Sequence, residues 1–328
     1  MNIAVAAILI LASMLPALGR ADTRFTVRVD EDLFSGMGND ADYTGGLALT
    51  LAGDLFEQSG TGPQWLRRMD RKLGVTAQSY RYELELGGAA FTPLRITETD
   101  VLRGDRPYSG ILYTSASVIR WGGTQSAATT LLVGVLGSEF VPAAQRHIHR
   151  VMGSDQPRGW HHQISDGGEP TVRVMHEVTR ASAVMELGRS NAQWLYRMGA
   201  GAGLLTDLSV GVAARVGHFG ESHWALHSSP LGLGDRMSGS ARSERFFYLT
   251  LGARLSIYNA FLQGQFRHSD LTMSGSERRR LVPDASLGFV FDASPNFNVH
   301  YFVRAQRSEA RLAVRGETSV YGGIALSW

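Results

Sequence analysis

Hydrophobic and polar residues alternate with a period of two in segment after segment of this chain. From Gln78 to Leu86, Tyr80, Tyr82, Leu84 and Leu86 alternate with Ser79, Arg81, Glu83 and Glu85. From Phe247 to Ile257, Phe247, Leu249, Leu251, Ala253, Leu255 and Ile257 alternate with Tyr248, Thr250, Gly252, Arg254 and Ser256. A strand patterned in this way has one apolar face and one polar face. About twelve such segments follow one another, at 24–32, 44–54, 76–90, 109–121, 126–137, 170–182, 193–204, 207–218, 245–258, 284–292, 296–306 and 318–328. An even number of amphipathic strands suits a transmembrane barrel. The apolar faces then meet lipid, the charged faces line the interior, and closure leaves no backbone edge unpaired in hydrocarbon. The expected fold is therefore all-β, a transmembrane antiparallel barrel of about twelve strands. Trp121, Trp194, Tyr196, Tyr258 and Tyr301 fall towards strand ends, where aromatic girdles are expected.

The ends of the chain refine this picture. Ile3 to Leu18 is almost wholly apolar but shorter than the roughly 20 residues of a spanning helix, and small residues follow it. Residues 1–21 read as a secretory signal peptide and 22–328 as one barrel domain. After Ala21 no window has the length and apolarity of a transmembrane helix. At the other end, Ile324, Leu326 and Trp328 share one face of a strand that ends on an aromatic residue, the pattern that the outer-membrane barrel-assembly machinery recognises. The expected location is a bacterial outer membrane. There is no cysteine, so neither a lipoprotein anchor nor a disulfide is available. Loss of residues 1–21 removes Arg20 alone among the charged side chains, so 32 basic residues become 31 against 30 acidic ones. That balance points to no nucleic-acid partner.

With both termini in the periplasm, the connections after odd-numbered strands face outward, near 33–43, 91–108, 138–169, 205–206, 259–283 and 307–317. The third is the longest and contains Val141 to Met152, a helical rather than alternating stretch with Pro142 suited to a first turn. Residues that make poor barrel wall gather in three of these connections. Asp30, Glu31 and Asp32, with Asp40, Asp42, Tyr43 and Thr44 across the turn, bring together oxygen donors that either bind a hard cation or form a solvated acidic loop. Gly104 to Gly110 (GDRPYSG) reads alone as a charged turn. In the helical stretch Gln145 and His149 share a face, with Asp155 just beyond. A histidine held by a carboxylate is a candidate general base, although His147, His161 and His162 lie close by and spacing does not choose among them.

Asp30 to Phe34 (DEDLF), Asp42 to Gly46 (DYTGG), Gly104 to Gly110, Gln145 to Asp155 (QRHIHRVMGSD) and Gly159 to Gln163 (GWHHQ) together resemble, in this order, the motif series of the lipid A 3′-O-deacylase family. The resemblance extends to Trp328. It implies a twelve-stranded barrel with a site near the outer leaflet, between the wall and the long loop, and a lipid A or lipopolysaccharide substrate. It also implies hydrolysis of an ester-linked acyl chain by histidine-activated water with calcium assistance. Carried over residue by residue, His149 is the base, Asp155 the acid that orients it, Gln145 a neighbouring polar group, and Thr44 and Asp32 belong to the oxyanion or cation side, Asp32 as metal ligand. The sequence departs from the pattern at Glu31, where the family carries Asn; an ionised Glu cannot donate the hydrogen bond that an Asn would. The basic residue expected after Thr92-Pro93 has Arg95 as its nearest candidate. Arg146, Arg150 and Arg158, with Arg278 to Arg280, are either phosphate contacts or ordinary loop charges. Two other readings stay open: a calcium-dependent esterase or phospholipase, and a catalytically inactive barrel.

Overall fold

A computed structural model describes residues 23–31, 34, 42–53, 79–220, 222–237, 244–294, 296–311 and 318–328. The signal-peptide segment 1–21, Asp40 and Asp32 lie outside these residues. Twelve long strands close into one antiparallel barrel: β1 (Arg24–Glu31), β2 (Asp42–Gly53), β3 (Ser79–Thr92), β4 (Ser109–Gly122), β5 (Gln125–Leu136), β6 (Glu169–Ala181), β8 (Ser190–Gly203), β9 (Leu205–His218), β12 (Arg245–Asn259), β13 (Leu281–Ser294), β14 (Phe297–Arg307) and β15 (Thr318–Ser327). Each pairs with its sequence neighbour among these. The barrel closes through β1 on β15, and the short β7 (Met185–Leu187) hangs on β8 while β6 pairs directly with that same strand. Phe25 and Trp328 exchange backbone hydrogen bonds of 2.9 and 2.8 Å, so both described ends of the barrel chain lie at one rim. The connections containing helix α1 (Phe140–Met152) and the one-turn helix α2 (Ala260–Gln263) lie at the opposite rim.

The alternation read from sequence is the alternation in space. On β12 Phe247, Leu249 and Leu251 point away from the barrel and are exposed, whereas Phe246, Tyr248 and Thr250 are buried inside. On β3 Leu86 points out while Glu83 and Glu85 point in. No described helix is long and apolar enough to cross a membrane. In a barrel of this kind the outward apolar belt is the surface that meets lipid. Among the expected girdle aromatics, Trp194 and Tyr196 are exposed on this belt. Trp121 instead stacks on Trp224 at 4.0 Å, and the Tyr258 hydroxyl is bonded to the Gly264 carbonyl.

The connection between β9 and β12 does not stay outside the barrel. Its described residues, 219–220 and 222–237, include a hairpin of β10 (Leu226–Ser228) and β11 (Asp235–Met237) that stands in the lumen. Arg236 sits between Glu83 and Glu85, donating to Glu85 at 2.8 Å. Arg197 holds Asp235 at 2.6 Å, and Ser228 N–H donates to Glu177 at 3.2 Å. At the tip the Tyr321 hydroxyl donates to the Leu233 carbonyl at 2.7 Å, and Leu231 and Leu233 join an internal core with Tyr43, Phe91, Phe261 and Tyr321. Charges buried in this way persist because they are paired. Beside them remains a cavity of about 70 Å³ lined by Arg173, Glu177, Arg197, Asp207, Asp235 and Arg304, room for a few waters. The described residues thus fill the lumen rather than line a channel.

Candidate functional site

The site is built on the outward face of the wall, at the rim opposite the chain ends. Gly110 on β4 makes it possible: a Cβ there would lie 2.8 Å from Val141, so only glycine allows α1 to lie this close to the strand. Val141, Tyr108 and Trp160 pack together with Ala90 beside them, and the Tyr108 and Trp160 rings are 4.9 Å apart. The Tyr108 hydroxyl donates to the Ile96 carbonyl at 2.9 Å, and burial pushes that phenol up, so it stays a neutral donor. Ala90 and Gly110 alternate with Phe91 and Ile111, which face the lumen; the helix therefore stands outside the cylinder.

On α1 the buried face carries Gln145 and His149, one turn apart. The Trp160 indole N–H donates to Gln145 Oε1 at 2.7 Å, which fixes the amide and turns its Nε2 donors the other way. That Nε2 is buried and has no hydrogen-bond partner among the described residues. The helix ends at Gly153, whose φ of 69° reverses the chain. The reversal brings the Asp155 main-chain carbonyl to His149 Nδ1 at 2.5 Å. A carbonyl oxygen only accepts, so Nδ1 carries the proton and Nε2 presents its lone pair. The expectation that the Asp155 carboxylate orients His149 is corrected in this respect: the contact is made by the backbone, and Asp155 itself is exposed.

Glu31 and Thr44 stand on the same outward face. Arg28 and Asp30 bond to one another inside, and Tyr43 donates to Asp30 at 3.2 Å; Glu31, the next residue, pairs with Gly45 and points the other way. Thr44 is an extra residue in β2, a bulge between the Tyr43–Phe91 and Gly45–Ala90 pairs. The bulge lets Tyr43 face the lumen while Thr44 turns to Thr92, 2.7 Å away between hydroxyl oxygens. Beside them Asp42, held at φ 73°, is ion-paired with Arg106, whose guanidinium lies 4.6 Å over the Phe91 ring. Sequence reading passed over Arg106 as a turn residue; its only signal was its place in the Gly104 to Gly110 block. Arg95, the nearest candidate for the basic residue expected after Thr92-Pro93, is largely exposed and pairs with Glu98 at 3.7 Å.

The structure therefore unites His149, Gln145 and the Asp155 carbonyl into one unit, and sets Glu31 and Thr44 on the same face of the same rim, on β1 and β2. Arg278 is not available to a phosphate: it is buried and donates to Glu309 at 3.1 Å and to the Ile257 carbonyl. Arg150 and Arg158 are exposed. Among the described residues no group of three or more His, Asp or Glu is arranged to hold a metal ion. The Glu31 carboxylate and Thr44 hydroxyl are hard oxygens of the type calcium takes, but two such donors fall short of its usual six to eight.

An antiparallel barrel with an outward apolar belt, a lumen filled by its described residues and a helix with a buried histidine laid against the outside of its wall defines an outer-membrane β-barrel protein. A family model described as outer membrane protein LpxR matches residues 3–328, and the chain belongs to that family, the lipid A deacylases whose motifs it carries. Among solved structures, LpxR from Salmonella typhimurium superposes with a TM-score of 0.70 at 16% identity, covering 93% of this chain and 99% of that one. The transport unit of the autotransporter AIDA-I from Escherichia coli reaches a TM-score of 0.40 at 10% identity, covering 99% and 97%. No curated protein matches the sequence.

Proposed function

We propose that this protein removes the ester-linked 3′-acyloxyacyl chain from lipid A in the outer leaflet. The observation that carries this reading is the fixed His149 tautomer on a buried helix face that looks onto the lipid-facing wall. His149 Nε2 takes a proton from water as the water oxygen attacks the ester carbonyl carbon. The Asp155 carbonyl holds the Nδ1–H and favours the imidazolium that forms. The Gln145 Nε2 donors, buried and otherwise unpartnered, suit the oxygen on which negative charge develops. On collapse the imidazolium returns its proton to the departing alkoxide, so one water and one ester give one acid and one alcohol, with no acyl-enzyme. Calcium held by Asp32 with the Glu31 and Thr44 oxygens would add positive charge beside that carbonyl oxygen.

The test is mass spectrometry of lipid A from outer membranes that express the protein, with calcium supplied, beside His149→Ala. The expected result is a mass loss equal to the whole 3′-acyloxyacyl group, the primary hydroxyacyl chain together with the second chain esterified to it, in the parent protein only. Unchanged lipid A in both samples rejects the reading. Glu31, an anion on the outward wall where the family carries Asn, favours one alternative, a related esterase acting on phospholipid. In that case lipidomics finds new lysophospholipid and intact lipid A.

A further inference from the structure

Helix α1 is amphipathic in the opposite sense to a helix that faces water. Its protein-facing side carries Gln145 and His149 beside Val141 and Pro142. The side turned away carries Phe140, Ile148 and Val151, exposed by 62%, 45% and 46%, with the exposed His147 and Arg150 along one edge. The spacing of Phe140, Ile148 and Val151 places them along one face, with Ala144 between. A helix on an aqueous surface normally buries its apolar stripe and turns polar residues outward.

The surface that continues this face is already the lipid belt. Val141 stands over Gly110, and two residues further along β4 Leu112 pairs with Val135, which is exposed beside Val133 on β5. Leu86 on β3 faces the same way, four residues from Ala90. At about 3.3 Å per strand residue the helix lies roughly 7–13 Å from these side chains. Arg146 and Arg150, on the flanks of α1, have stems long enough to reach a headgroup while the helix lies lower.

We infer that α1 is an interfacial helix whose Phe140, Ile148 and Val151 face is immersed in the acyl-chain layer of the surrounding leaflet. Its partner is lipid hydrocarbon, continuous with the belt on β3 and β5. An acyl chain in that layer then lies alongside the helix that carries His149 and reaches it sideways, from the leaflet rather than from water. This last step rests on the proposed deacylase reading; the depth of the helix does not.

The absence of cysteine permits single nitroxide labels without background. Ile148→Cys and Val151→Cys are compared with Leu86→Cys as lipid reference and Ser276→Cys as exposed-loop reference, in phosphatidylcholine vesicles. Collision with oxygen and with a water-soluble nickel chelate reports depth. Labels at 148 and 151 are expected to match the Leu86 label, with oxygen favoured; values matching the Ser276 label overturn the inference. As a second measurement, Ile148→Glu is expected to lower hydrolysis of lipid A in vesicles by roughly tenfold or more while leaving hydrolysis of a detergent-dispersed short-chain ester within about twofold. Equal loss on both substrates, or on neither, counts against it. If neither ester is hydrolysed by the parent protein, the deacylase reading fails while the labels still decide the position of α1.

Discussion

At the scale of single residues, the unexpected feature is that His149 Nδ1 meets a main-chain oxygen where a carboxylate was expected. Because Asp155 reaches His149 through its carbonyl, the side chain at 155 is free to change. Asp155→Asn is expected to keep activity within a few-fold of the parent, whereas His149→Ala loses about 10²-fold or more, the usual contribution of a general base. Both follow from initial rates on purified lipid A, and a loss in Asp155→Asn as large as that in His149→Ala would restore the carboxylate to the role. Trp160→Phe removes the donor that fixes Gln145 and leaves Oε1 buried without a partner, a cost of about 1–3 kcal/mol. Its expected signature is a lower kcat with little change in KM, since the amide is aimed at charge that exists only in the transition state.

At the scale of elements, the site depends on α1 lying close to β4. Gly110→Val puts side-chain carbon where Val141 already is, so the helix must lift while the strand, whose lumen-facing neighbours are unaffected, still pairs. The variant should fold into a heat-modifiable barrel on gels yet lose most of its activity. A second tie holds the long connection at its far end, where His162 Nδ1 meets Asp270 Oδ2 at 2.5 Å. The His162 hydrogen bond holds the Asp270 carboxyl below the ordinary carboxylate range. A lowered carboxylate stabilises the fold above its unfolded value and loses that contribution as pH falls through the lowered one. Proteolysis of the 264–280 connection should therefore accelerate on acidification in the parent protein and show no such dependence in Asp270→Asn. The pair is exposed, so the effect is small.

At the scale of the whole molecule, the wall separates two jobs. The inward face, with the hairpin of β10 and β11, fills the lumen; the outward face carries the proposed site. Arg236 is one ionic fastening between the wall and the hairpin, beside the Arg197–Asp235 pair, and Arg236→Ala leaves Glu83 and Glu85 buried without their shared cation. Removing one partner of a buried pair costs about 3–5 kcal/mol. The parent protein should give no steady open-pore conductance in planar bilayers, and Arg236→Ala should give measurable conductance or a lowered melting temperature. If neither changes, the hairpin is held by its Leu231 and Leu233 contacts instead. The sequence by itself determined the strands to within a few residues, their number, the lipid-facing belt and a helical stretch at 141–152, one residue short of the observed helix. All of these are periodicities, and a period is local: Leu86 and Glu85 fall on opposite faces whatever the rest of the chain does. The tertiary structure alone decided that the β9–β12 connection enters the lumen, because its short β10 and β11 are too brief to show a period and are held by partners distant in the chain, from 38 residues away for Arg197 to 153 for Glu83. It alone decided that Thr44 faces out, because one extra residue in β2 reverses the parity that a sequence count assumes. And it alone decided which atom of Asp155 meets His149, because that follows from the left-handed turn at Gly153 and from no property of the aspartate.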